Sequence, residues 1–255
     1  MLNAVRQRMT ARSAALLLTL EGGLPRLMGG WVVLIAAACG LRVMTSPLSG
    51  APASSTLLAY LLLAAAPIAS MLLALRWFAD GEQLGQPKRF IDRRGYRAIG
   101  LAAARRHKLY GPGGIMVSLL VGLLASPALR AMEYFAAMPA LSGRVPQWLA
   151  MLQTVLTLDV VIFSGLYAIA FVAALKKVPL FPRLLAAIWA ADLAMQLGIA
   201  QVVARQPDLP GPVADALHHL LDGNVKKVLI SIALWLPYLL LSKRVNLTYR
   251  HRLPR

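Results

Sequence analysis

The sequence predicts an all-α, polytopic bundle of about six transmembrane helices with both termini in the cytoplasm. Hydrophobic residues make up 58% of the 255 and the mean hydropathy is +0.64, whereas a soluble domain holds roughly 45–50% apolar residues. The net charge is +17, yet only 15% of residues are charged. A soluble nucleic-acid-binding domain reaches such a charge with a far larger charged fraction. The hydrophobicity excludes disorder, and the single cysteine, Cys39, excludes a disulfide scaffold. Six stretches approach the ~20 apolar residues that cross about 30 Å of hydrocarbon.

Residues 1–26 read as a cytoplasmic or interfacial N-terminus. Arg6, Arg8 and Arg12 precede the apolar run Ser13–Leu20, which Glu21 stops. No small-x-small cleavage site follows, so the run predicts a short interfacial helix rather than a signal peptide. Residues 27–255 then form one transmembrane domain. Its spans are expected at Leu27–Met44, Thr56–Leu75, Gly113–Leu129, Ala150–Leu175, Leu184–Ala204 and Val228–Leu241. Pro67 and Pro237 fall inside spans, where neighbouring helices satisfy the carbonyls they free. The third span meets Ser126-Pro127, Arg130 and Glu133. It is expected to end early and continue as an interfacial helix carrying an Arg130–Glu133 ion pair. The sixth is short, and Lys226 and Lys227 would lengthen it by snorkelling outward.

Cations orient the bundle. With the N-terminus inside, 21 of the 27 Lys and Arg residues fall on the inner side. Arg6, Arg8, Arg12 and Arg26 precede the first span. The cytoplasmic loop 76–112 holds Arg76, Lys88, Arg89, Arg93, Arg94, Arg97, Arg105, Arg106 and Lys108. Lys176, Lys177 and Arg183 follow the fourth span, and Lys243, Arg244, Arg250, Arg252 and Arg255 close the chain. Only Arg42, Arg130, Arg144 and the three cations of the periplasmic loop 205–227 lie outside.

The first span opens with Gly29-Gly30-Trp31. The last contains Trp235-Leu236-Pro237-Tyr238 and is followed by Ser242-Lys243-Arg244-Val245-Asn246-Leu247-Thr248-Tyr249. Together with Phe181-Pro182-Arg183, these segments resemble a bacterial integral membrane family, domain of unknown function 2569. The resemblance covers residues 24–48 and 150–250, and the Ser-Lys-Arg-Val-x-x-Thr tail is its most specific part. It implies a bacterial inner-membrane location and four spans, with 51–149 as a two-helix insertion carrying the basic loop. It implies no activity. Physically, Trp31 and Tyr249 read as interfacial aromatics and Lys243 and Arg244 as anchors on the positive side. Gly29 and Gly30 read as points of close helix approach.

Ionisable groups inside spans are expensive and mark candidate sites. Asp159 and Asp192 each lie about nine residues into a span, or ~13 Å at 1.5 Å per residue. Gln196 is one turn beyond Asp192 on the same face, and Arg42 is a possible partner. Such a carboxylate pair could carry protons, bind a cation or coordinate a solute, or simply hold helices together. Ala186, Ala190, Ala194 and Gly198 form a small-xxx-small ridge expected to pack inside the bundle. In the outer loop Asp215, His219 and Asp222 share one helical face, a weak metal candidate set against a solvated amphipathic helix.

Lys88, Arg89, Arg93, Arg94, Arg97, Arg105, Arg106 and Lys108, interleaved with Tyr96, Ile99, Leu101 and Leu109, read as an amphipathic segment on anionic lipid head groups. Nucleic acid is not expected as a partner, because the positive-inside rule already accounts for these charges. Gly111-Pro112-Gly113-Gly114 lacks the Lys-Ser/Thr of a phosphate loop and reads as a hinge. All four histidines fall in loops, which argues against intramembrane haem, and one cysteine argues against an iron–sulfur cluster. No hydrolase or zinc-protease motif occurs, and no cofactor is expected. The leading expectation is a non-catalytic membrane component or accessory subunit, with the bilayer and other membrane subunits as partners. The alternative is a small proton- or solute-coupled transporter using Asp159 and Asp192. A lipid-acting membrane enzyme comes last, for want of a nucleophile.

Overall fold

The computed structural model describes residues 13, 15–47, 50–86, 96–143, 145–206 and 209–254. Among the described residues six helices are long and apolar enough to cross a membrane: α1 (Leu24–Thr45), α2 (Ser54–Trp77), α4 (Met116–Ala137), α5 (Gln147–Leu175), α6 (Phe181–Ala204) and α7 (Gly211–Leu241). Two short helices, α3 (Leu101–Arg105) and α8 (Lys243–Arg250), and the strands β1 (Tyr96–Ala98) and β2 (Arg252–Pro254) gather where α1 begins and α7 stops. This is the basal end of the bundle, and the opposite end is distal. Residues 15–22 are also helical, and Gly114 N donates to Ser13 Oγ (3.2 Å) beside them.

Of these six, α5 is the most buried and α1 the least. α5 packs on α2, α4 and α6; α7 lies on α6, and α1 leans on α2 and α4. The approach of α2 to α5 depends on Gly165, where an added Cβ would sit 2.7 Å from Ser70 Oγ. Gly165→Leu should therefore cost about 1–3 kcal/mol by overpacking, read as a lower Tm in detergent. Gly198→Leu, where a Cβ meets nothing, should leave Tm unchanged.

Two apolar cores stack along the bundle. The basal one centres on Phe163, Phe171, Phe181, Leu185 and Tyr249, the distal one on Ile35, Tyr60, Phe135, Leu156 and Leu221. At the distal end residues 138–142 are tied down from α1 and α2. Arg42 Nε donates to Met138 O (2.7 Å), Ser46 Oγ to Ala140 O (2.9 Å) and Ala53 N to Leu141 O (2.8 Å).

Several sequence expectations are corrected. α4 runs unbroken through Ser126, Pro127, Arg130 and Glu133 to Ala137, because Arg130 finds counter-charges inside the bundle and has no reason to leave it. α7 begins at Gly211, well before Val228, because Leu217 and Leu221 reach the distal core. Of the expected ridge, Ala190, Ala194 and Gly198 are exposed and Ala186 is half-buried. α6 instead buries Leu185, Ile188, Trp189, Asp192, Gln196, Ile199 and Val203, the opposite helical face. Gly29 and Gly30 are likewise exposed, and a Cβ on either would meet nothing. Trp31 serves as a helix-to-helix tie, its Nε1 donating to Ala64 O on α2 (3.0 Å).

Candidate functional site

Where the two apolar cores meet, α4, α5 and α6 each contribute one charge to a single cluster. Arg130 Nη1 donates to Asp159 Oδ2 at 2.7 Å, and Nη2 donates to Asp192 Oδ2. Tyr167 O–H donates to the same Asp192 oxygen (2.8 Å). Gln196 Nε2 donates to Asp159 Oδ1 (2.9 Å) and lies 3.5 Å from Asp192 Oδ1. The guanidinium also sits 4.9 Å above the Phe163 ring, a cation–π contact strengthened where water is excluded. Asp192 is fully buried and Arg130 and Asp159 nearly so. Buried charge persists in such a place only when paired and hydrogen-bonded.

A ladder of polar side chains leads from the cluster to the exposed Lys227 midway along α7. Asn224 Nδ2 on α7 donates to Gln196 Oε1 (3.3 Å), and Lys227 Nζ donates to Asn224 Oδ1 (3.3 Å). Lys227 also pairs with Glu133. Beside this ladder a cleft of about 20 Å³ touches Arg130, Asp159 and Asn224. One water needs about 10–15 Å³, so the cleft has room for about one. Asp159, Asp192 and Gln196 thus meet, while Arg42 stays apart on Met138. Sequence reading missed Arg130, which it paired with Glu133; Glu133 pairs with Lys227 instead.

The other candidate sets do not assemble in this way. Asp215, His219 and Asp222 are exposed, and Asp222 is paired with Lys226 (2.6 Å). Among the described residues no group of three or more His, Cys, Asp or Glu could hold a metal. Of the basic loop, Lys88, Arg89, Arg93 and Arg94 lie outside the described residues. Arg97, Arg105, Arg106 and Lys108 are exposed. They do not share one amphipathic helix, because β1 pairs antiparallel with β2 (Tyr96↔Pro254, Ala98↔Arg252) before α3 begins.

At the basal end the tail folds into a latch. Asn246 is fully buried; its Nδ2 donates to Leu240 O (3.2 Å) and Ser242 O (2.9 Å), and its Oδ1 accepts from Arg250 Nη1 (3.0 Å) and Arg252 Nε (2.7 Å). Gly111 N donates to Thr248 Oγ1 (3.0 Å), and Arg244 Nη1 donates to Gly111 O (3.2 Å). Gly113 makes room for that guanidinium, since a Cβ there would lie 3.2 Å from Arg244 Nη1. Tyr249 is buried rather than interfacial: its ring lies 5.0 Å from Phe181 and its hydroxyl donates to Ala174 O (2.8 Å).

Two titratable groups govern the latch. Burial opposes ionisation of Glu82, but hydrogen bonds from Arg105 and Tyr110 and the charges of Lys177 and Arg105 outweigh it and hold the carboxyl below its usual 4.5. Burial holds His251 below 6.5; its Nδ1 pairs with Gln86 Nε2 (3.1 Å), and its buried Nε2 has no partner among the described residues. A histidine with a depressed folded pKa favours unfolding on protonation. Latch stability should therefore decline as pH falls through 6.5 toward the lower folded value, and the Glu82 contribution should be lost below 4.5. His251 has φ +46°, a left-handed conformation that Asn tolerates. His251→Asn should remove the first decline only, read by proteolysis of the tail across pH 5–8.

No curated protein and no solved structure matches this chain significantly. Residues 110–250 match a family described as "Protein of unknown function (DUF2569)". The match takes in α4, α5, α6, α7 and α8, so it holds the buried cluster and most of the latch, while Gly29-Gly30-Trp31 lies outside it. Covering more than half of the residues, it establishes that this multi-pass membrane protein belongs to the DUF2569 family.

Proposed function

We propose that the protein is a non-catalytic component of a bacterial inner membrane, an integral scaffold or accessory subunit. In this reading the Arg130–Asp159–Asp192 cluster fixes how α4, α5 and α6 dock. The carrying observation is that the donors to both carboxylates are the chain's own side chains, beside a cleft with room for about one water. Buried ionic groups contribute little net stability against apolar packing, and their best-attested use is to select one arrangement over others. The cation count supports a cytoplasmic basal end, where Arg97, Arg106 and Lys108 would meet anionic head groups.

A second reading, a proton-coupled carrier using Asp159 and Asp192, draws on the ladder Lys227–Asn224–Gln196 that reaches the cluster from an exposed lysine on α7. Liposomes with an imposed pH gradient separate the two. With the protein reconstituted, the gradient should decay as it does in empty vesicles. An acceleration that Asp159→Asn abolishes would replace the scaffold reading with the carrier.

A further inference from the structure

Two clefts stacked along α1 lie apart from the buried cluster, and the second shares Glu82 and Arg105 with the basal end. The first is a lateral crevice of about 170 Å³ within the basal half of the bundle, walled by Met28 and Trp31 of α1, Pro67 and Met71 of α2, and Leu123 and Pro127 of α4. It exists because α1 contributes one buried side chain, Ile35, and because two prolines line the gap where tighter packing would need side chains of another shape. An apolar cavity of about 150 Å³ stays dry and takes hydrocarbon. In a bilayer this crevice borders acyl chains.

The second cleft, about 360 Å³, opens at the basal surface and is lined by Glu21, Asp80, Glu82, Arg105, Lys176 and Lys177. Three of the chain's ten acidic residues meet three cations here, so the cleft is formally neutral on a protein of net charge +17. Glu82 is engaged by Arg105 (2.9 Å) and Lys177 (3.8 Å). That leaves Lys176 beside Glu21 and Asp80, none of the three in a salt bridge among the described residues. Leu24 lines this cleft, and Leu27 and Met28 line the crevice. The two are one helical turn apart, about 5 Å along α1.

From this stacking we infer that the protein holds one phospholipid with a zwitterionic, phosphate-plus-ammonium head group. Its phosphate would lie at Lys176, its ammonium at Glu21 and Asp80, and an acyl chain in the crevice between α1, α2 and α4. A purely anionic head group would satisfy Lys176 but face two carboxylates with no cation of its own. The charge pattern therefore selects phosphatidylethanolamine over phosphatidylglycerol, the reverse of what the overall charge favours.

Native mass spectrometry of the delipidated full-length protein, titrated separately with these two lipids, tests the assignment. One phosphatidylethanolamine should be retained with at least tenfold preference. Gly30 lines the crevice and a Cβ there meets nothing, so Gly30→Phe should fill the space without disturbing the fold and lower retention at least tenfold. Gly30→Ala should retain the lipid, and Lys176→Glu should weaken it with Tm unchanged. Equal retention of phosphatidylglycerol, or full retention by Gly30→Phe, overturns the assignment.

Discussion

Arg130→Met should cost about 3–5 kcal/mol, because it leaves two buried carboxylates with no counter-charge. In a chain of this size that corresponds to a fall in Tm on the order of 10 °C, measured on the purified protein in mild detergent. The triple variant Arg130→Met, Asp159→Asn, Asp192→Asn removes every charge while keeping the amide donors and acceptors, and should regain most of the loss. The contrast between the variants is the informative quantity. A cluster that merely adds packing volume would leave the single variant near wild type, whereas one that specifies helix docking by charge makes the single variant far worse than the triple. Asp192→Asn alone should fall between them, since Asp159 still balances Arg130 and the Tyr167 hydroxyl keeps an acceptor.

The spans were legible because hydrocarbon imposes a length and an apolar composition that few other constraints mimic. The cluster was half legible. Asp159, Asp192 and Gln196 stood out as polar groups in apolar stretches, but Arg130 sat near Pro127 and Glu133 in a segment that reads as the end of a span. A clue was available in depth. Counted from the basal ends of α4, α5 and α6, Arg130, Asp159 and Asp192 lie about 16–24 Å along their helices. One cation and two anions at comparable depth in a bundle have stronger reason to meet than Arg130 has to join an exposed neighbour three residues on. The exposed ridge on α6 misled for a different reason. Small residues at four-residue spacing permit close packing without requiring it, and the opposite face carries Leu185, Trp189, Asp192 and Gln196, whose burial is worth more. The β1–β2 pair was illegible, because three residues joined across most of the chain leave no periodic pattern.

Asn246→Leu should release the C-terminal latch at a cost of about 2–4 kcal/mol, because it loses bonds to two carbonyls and two guanidinium groups at a site with no solvent exposure. The tail motif looked at first like an interfacial anchor, with Lys243 and Arg244 holding the end of a span against lipid head groups. Its geometry points inward instead. Asn246 joins the end of α7 to Arg250 and Arg252, Thr248 takes the Gly111 amide, and Tyr249 reaches Ala174 on α5. The motif is therefore the means by which the segment between α2 and α4 is tied to the last helix. Loss of Asn246 should expose Arg250 and Arg252 to trypsin and free β1, while Tyr249 stays in the basal core against Phe181 and the Tm of the six-helix bundle changes little. If Asn246→Leu lowers bundle and latch stability together, the basal end and the spans fold as one unit. If it leaves the tail protected, the Arg244–Gly111 and Tyr249–Ala174 contacts suffice to close the latch.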